Sequence, residues 1–224
     1  MQAPTLVTQA AIVAGRDVLR ERRAGEVLWV TVPFAAVALL LIPLAISTDT
    51  ALLRRIGPGM YWVVVLLFGV LTAVRRTAVE TPAQRDAASL SGIDPAASFA
   101  GKAAANVVML LGFEAVVGVV AVVLYDIELT RWPWIVAVVP LAAIGLGLLG
   151  TVAAAIAANV GAGAGLIPLL VAPLSVPLLL AATQALDSLR PPNGILAWVM
   201  LMVAVDTGLA VAGVLSSRAL MDTG

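Results

Sequence analysis

The chain has 224 residues; 62% are apolar and only 12% charged, with 13 basic residues balancing 13 acidic ones. Soluble domains run at roughly 45–50% apolar and about 25% charged, so the missing charge marks a polytopic membrane protein. Zero net charge leaves no basic field for nucleic acid, and the lack of Cys and His removes disulfides, zinc–thiolate sites, and the commonest metal ligand and acid–base residue.

Residues 1–24 are too polar for a signal peptide. Val7, Ala11, Val18 and Leu19 recur there at near-helical spacing, with Arg16, Asp17, Arg20, Glu21, Arg22 and Arg23 between them. This pattern predicts an amphipathic helix lying on the membrane surface before the first span. A spanning helix needs about 20 apolar residues to cross a hydrocarbon core of about 30 Å. Six stretches qualify, Val27–Ser47, Pro58–Val74, Ala103–Tyr125, Trp134–Ala158, Leu166–Leu186 and Ile195–Ser217, which predicts an all-α protein built as a single transmembrane domain.

The breaks between them read STDTALLRRIG, a charged island over residues 75–102, DIELTRWP, NVGAGAG and DSLRPPNG. Each carries Gly, Pro, Asp or Asn, which punctuate helices. Gly145, Gly147 and Gly150 thin the fourth span and let neighbouring backbones approach. Pro168, Pro173 and Pro177 each remove a backbone bond from the fifth, predicting two short pieces or one strongly bent helix.

Basic residues favour cytoplasmic flanks. With both termini inside, the inner side holds Arg16, Arg20, Arg22, Arg23, Arg75, Arg76, Arg85, Lys102 and Arg218, and the outer side Arg54, Arg55, Arg131 and Arg190. Both termini and the island are therefore expected in the cytoplasm. Trp132 and Trp134 fit an outer interfacial belt.

Two acids interrupt apolar runs, Glu114 in LLGFEAVVG and Asp206 in MVAVDTGLA. A carboxylate at mid-membrane costs several kcal/mol unless it is paired, protonated or wet, which makes both functional candidates. They are either members of a proton relay or polar gate, or interhelical clasps. Asn106 and Lys102 are i,i+4 neighbours at the mouth of the third span, suited to anchoring that helix. No phosphate loop is present: AASFAGKA lacks the first Gly and the closing Ser/Thr of that motif. Any ATP must bind another chain.

The ordered set AGRDVLRERR, IGPGMYWVVVLLFGVLTAVRRTAVE, LSGIDPAASFAGKAAANVVMLLGFE, GTVAAAIAANVGAGAGLIPLLVAPLSVPLLLAA and WVMLMVAVDTGLAVAG resembles the CcmB family, the membrane permeases of the ABC system in cytochrome c maturation, also called haem exporter protein B. The likeness covers roughly residues 7–220. The chain departs from the family at TPAQRDAASL and at NVGAGAG, both on loops expected to be cytoplasmic.

The resemblance implies an ABC-2-type exporter permease in a bacterial inner membrane, with six spans and residues 1–26 as an amphipathic elbow. It makes residues 75–102 the coupling loop, with Arg85, Asp86, Asp94 and Pro95 as contacts for a CcmA-like ATPase. It further implies a second copy of the chain, CcmC-like and CcmE-like haem-handling partners, and a non-catalytic role in haem export or release of a haem-loaded chaperone. With neither His nor Cys, the strong axial ligands are missing, so haem is expected to be held by partners and ATP by the ATPase subunit. Three other readings remain: an ABC-2 permease for another substrate, a proton-coupled transporter built on Glu114 and Asp206, and a passive assembly scaffold.

Overall fold

A computed structural model describes residues 4–25, 27–46, 49–79, 92–127, 129, 132–159, 165–186 and 194–219. Helix α1 (Leu6–Ala24) starts at Thr5, whose hydroxyl accepts from the Thr8 N–H at 3.4 Å. It ends at Gly25, where φ is +67° and the backbone N–H donates to the Glu21 carbonyl at 2.7 Å. This turn requires glycine for two reasons. The left-handed φ disfavours any side chain, and a methyl group there would stand 2.7 Å from Cδ1 of Trp29. A π-helical turn over Val27–Thr31 then leads into α2 (Val32–Ile46).

The remaining helices are α3 (Thr50–Val79), α4 (Pro95–Tyr125), α5 (Trp132–Asn159), α6 (Leu166–Leu186) and α7 (Ile195–Ala219). No strand occurs among the described residues. Among the described residues, five segments are long and apolar enough to cross a bilayer: Thr50–Leu71, Pro95–Tyr125, Trp132–Ala157, Leu166–Leu186 and Ile195–Ser217. The helix expected as the first span is shorter, with its apolar part running Trp29–Ala45.

The breaks differ from the sequence expectation in several places. STDTALLRRIG is not a loop throughout, because α3 already begins at Thr50 and carries Arg54, Arg55 and Gly57. Polar residues at a helix start leave its backbone hydrogen bonds intact, so an apolar-run criterion places the start too late. The island is shorter than its charge pattern: α3 continues to Val79, and Pro95–Lys102 forms the first turns of α4. NVGAGAG and DSLRPPNG lie mostly outside the described residues.

Helix α6 is one helix through Pro168, Pro173 and Pro177, not two pieces. Pro173 and Pro177 lie on its exposed side, while Ile167, Val171, Ser175, Leu178 and Ala182 are buried. The bonds these prolines forgo therefore fall on the outward face, away from the packed one.

Helix α5 is the centre of the bundle. In its most apolar window 56% of residues are buried, against 17% in α7 and 28–33% in the other three long helices. It packs against α3, α4, α6 and α7. Small residues make this possible: Ala142, Ala143, Gly145, Gly147, Gly150, Ala153 and Ala157 are all buried. The main apolar core gathers Trp62, Val65, Phe113, Val117, Ala142, Leu178 and Met202 from its surroundings.

One end of the bundle is fastened around Tyr125. Its hydroxyl donates to the Leu39 carbonyl of α2 at 3.0 Å. A methyl group at Gly57 would lie 2.7 Å from Cβ of Tyr125, so α3 and α4 meet closely there. Asp126 caps α4 with φ +49° and accepts from Nε of Arg54 at 2.9 Å.

Candidate functional site

Two regions hold the polar residues singled out by sequence: the start of α4 and the interior of the bundle. Arg85 and Asp86 fall outside the described residues. Asp94 and Pro95 are placed, and their positions explain the local fold. Asp94 is the N-cap of α4; its Oδ1 accepts from the Ala96 N–H at 2.8 Å, and Pro95 takes the first helical position. An acidic cap satisfies an otherwise unpaired helical N–H, and proline suits N1 because its missing N–H is not needed there.

The backbone N–H of Asp94 is itself held. It donates to Oε1 of Gln9 in α1 at 2.9 Å, and Nε2 of the same Gln9 donates to the Pro4 carbonyl at 3.0 Å. Two turns into α4, Gly101 lets α1 press against the helix: a methyl group there would stand 2.6 Å from Cβ of Val13 and 2.7 Å from the Ala10 carbonyl oxygen. On another side, the ring of Phe99 fills the space a side chain at Gly213 of α7 would occupy. The last part of the charged island is thus gripped by both α1 and α7.

Further along, Lys102 is half-buried, and one turn later Nδ2 of Asn106 donates to Oγ1 of Thr151 in α5 at 2.8 Å. The Thr151 hydroxyl donates on to the Gly147 carbonyl at 2.7 Å. At the same level a methyl group on Gly147 would stand 3.2 Å from the Val107 backbone nitrogen. The α4–α5 contact is therefore both close and hydrogen-bonded.

Glu114 in α4 is 1% exposed and Asp206 in α7 is 6% exposed. All four carboxyl oxygens lack a hydrogen-bond partner, so the two acids do not bond to each other. Beside Glu114, the Tyr61 hydroxyl of α3 donates to its backbone carbonyl at 3.2 Å. Asp206 lies against α5 and α6: a methyl group at Gly145 would come within 2.6 Å of its Oδ1 and would overlap the Leu178 side chain. Nε1 of Trp62 and Oε1 of Gln184 are also buried without partners. Among the described residues, no group of three Asp, Glu, His or Cys could hold a metal.

Sequence reasoning did not single out Gln9, Phe99, Gly101 or Gly213. Gly101 and Gly213 had a readable signal, since a small residue in a long apolar helix marks close approach. Gln9 had none, because only the fold brings it to Asp94.

The family model described as CcmB protein matches residues 8–222. The chain is also similar to heme exporter protein B of Paracoccus denitrificans (strain Pd 1222), with 29% identity over 171 residues, covering 76% of this chain and 78% of that protein. The match spans α1, all the long helices and the island between α3 and α4. This multi-pass chain belongs to the CcmB protein family.

Proposed function

We propose that this chain is the membrane permease subunit of an ATP-binding-cassette exporter that serves cytochrome c assembly. The observation that carries this reading is family membership over residues 8–222, supported by the name of the Paracoccus relative, a heme exporter protein. A partner ATPase of the CcmA kind hydrolyses ATP, and two copies of this chain turn its closure into haem export or into release of a haem-loaded chaperone. Six spans are completed by the shorter helix at Trp29–Ala45, α1 is the elbow, and both termini are cytoplasmic in a bacterial inner membrane.

The grip on α4 supports force transfer from the island. A displacement of the island's end at Asp94 meets a capped helix, whose first two turns contact α1 through Gln9 and Gly101 and α7 through Phe99. Packed interfaces transmit such displacement because they have low compressibility. Haem itself is substrate here. The chain offers only six Met and two Tyr as side-chain ligands of the haem-binding kind, so strong axial ligation belongs to CcmC-like and CcmE-like partners.

The test is purification of the tagged chain from its native membrane in mild detergent, beside an Arg85→Ala/Asp86→Ala variant and an Asp94→Asn variant. Asparagine preserves the helix cap while removing the charge. An ATP-binding subunit that accompanies the parent and is lost with the double variant supports the reading. A parent that brings no ATPase, under conditions that keep other membrane complexes whole, refutes it.

A further inference from the structure

Proline costs a helix one backbone bond, and in α2 the missing donor is supplied by another helix. Pro43 lies inside α2 and has no N–H, so the carbonyl four residues back, that of Leu39, loses its ordinary intrahelical partner. Leu39 is buried, where a carbonyl without a donor is costly. The Tyr125 hydroxyl of α4 takes the place of the lost N–H, donating to the Leu39 carbonyl at 3.0 Å. The ring that carries this hydroxyl is held independently of it. Tyr125 is fully buried, and a methyl group at Gly57 of α3 would stand 3.1 Å from its Cγ. The ring rests on α3 while its hydroxyl reaches α2.

Helix α2 is weak in backbone bonds near both ends. The π-helical turn Val27–Thr31 precedes it, a form that is rare, confined mostly to single turns and frequent at functional sites. Pro43 stands one turn before its end at Ile46. Between these points a narrow stripe of Thr31, Ala35 and Leu39 is buried, while Phe34, Val37, Leu40 and Leu41 are exposed. The helix packs against α3 and α4. Beyond Pro43 the chain soon enters α3, whose start is fixed by Asp49: its Oδ1 accepts from the Ala51 N–H at 3.0 Å.

We propose that α2 is a movable strut, jointed at the π turn and at Pro43, with the Tyr125 hydroxyl as the catch that holds it on α4. In an unbroken helix each carbonyl keeps its own donor when a neighbouring helix withdraws. Here withdrawal leaves the Leu39 carbonyl and the Tyr125 hydroxyl both unpaired among apolar side chains, so the held and released positions are discrete states. The strut goes beyond the export role proposed above and holds whichever substrate the bundle handles.

The chain contains no cysteine, so paired spin labels report without background. Val37→Cys/Val123→Cys reads α2 against α4, and Val63→Cys/Val123→Cys reads α3 against α4; all three positions are exposed. Pulsed electron resonance on the full chain in lipid nanodiscs should show one dominant distance for each pair. Tyr125→Phe, which keeps the ring and removes the hydroxyl, should shift the first pair toward a longer distance and leave the second unchanged. Adding Pro43→Ala restores a backbone N–H for Leu39 and stiffens the joint, so it should return the first pair to its parent distance. A hydroxyl that served only local packing would show no such rescue. An unchanged first pair in Tyr125→Phe overturns the proposal. So does an equal shift in both pairs, or a failure of Pro43→Ala to rescue.

Discussion

Replacing Gly101 by Ala tests whether α1 is clamped to the start of α4. On helix propensity alone the change should stabilise, since Ala exceeds Gly by about 1 kcal/mol in a helix interior. The new methyl group, however, would stand 2.6 Å from Cβ of Val13 and 2.7 Å from the Ala10 carbonyl oxygen. Neither atom can leave by a rotamer change; one is backbone and the other is fixed to it. Carbon atoms in contact prefer roughly 3.5–4.0 Å, so α1 must move by about 1 Å. Overpacking of this kind costs about 1–3 kcal/mol, which outweighs the propensity gain. That shift also strains the bond from Gln9 to Asp94. Gly112 on the same helix is a matched control, because a methyl group there meets nothing within 4 Å. Thermal unfolding of the detergent-solubilised chain, followed by size-exclusion chromatography, should show Gly101→Ala melting below the parent and Gly112→Ala at or above it. Equal melting of the two variants would refute a close α1–α4 contact.

Four other outcomes follow from the same geometry. Glu114→Met removes a buried carboxyl with no hydrogen-bond partner and should raise thermal stability by about 1–4 kcal/mol; loss of the proposed transport function in that stabilised variant would assign the acid a role in the cycle, whereas a lower melting temperature contradicts the burial argument. Thr151→Val removes the hydroxyl that accepts from Nδ2 of Asn106 and should cost about 1–3 kcal/mol, while Asn106→Leu/Thr151→Val together should cost less than the sum, measured by a double-mutant unfolding cycle. Gly145→Ala crowds Oδ1 of Asp206 and Leu178, so adding Asp206→Ala should recover part of the lost stability; strictly additive losses would separate the two sites. Arg54→Gln should change stability by under about 1 kcal/mol, because its pairing with Asp126 is exposed.

Helix positions were legible where apolar runs are long: the last three spans agree with α5, α6 and α7 to within a few residues. Ends were less legible, because an apolar-run criterion is blind to helix that runs through Arg54 and Arg55 or from Pro95 to Lys102. Of the two alternatives the prolines offered for the fifth span, two short pieces or one bent helix, the break is absent: α6 is one helix with Pro173 and Pro177 on its exposed side. For α1 the sequence showed the stripe of Val7, Ala11, Val18 and Leu19, but not that a different face, centred on Val13, meets α4. In a helix this rich in small residues, two faces can pack, and composition does not rank them. The carboxyls of Glu114 and Asp206 were visible as anomalies; their separate surroundings come only from the fold.

The small-residue surface of α5 also bears on the order in which the protein is built. Two of its neighbours, α6 and α7, lie downstream in the chain, and Leu178 and Asp206 fill the space beside Gly145. A growing chain that has released α5 but not yet α7 therefore carries a groove open to lipid, and also a carbonyl-lined backbone thinly covered by glycine. Helix α7, made after α5 and α6, brings the carboxyl that lies against that groove. Closure of the bundle is thus a late step in synthesis, and chains that stop before residue 195 should be met by membrane quality control as unfinished.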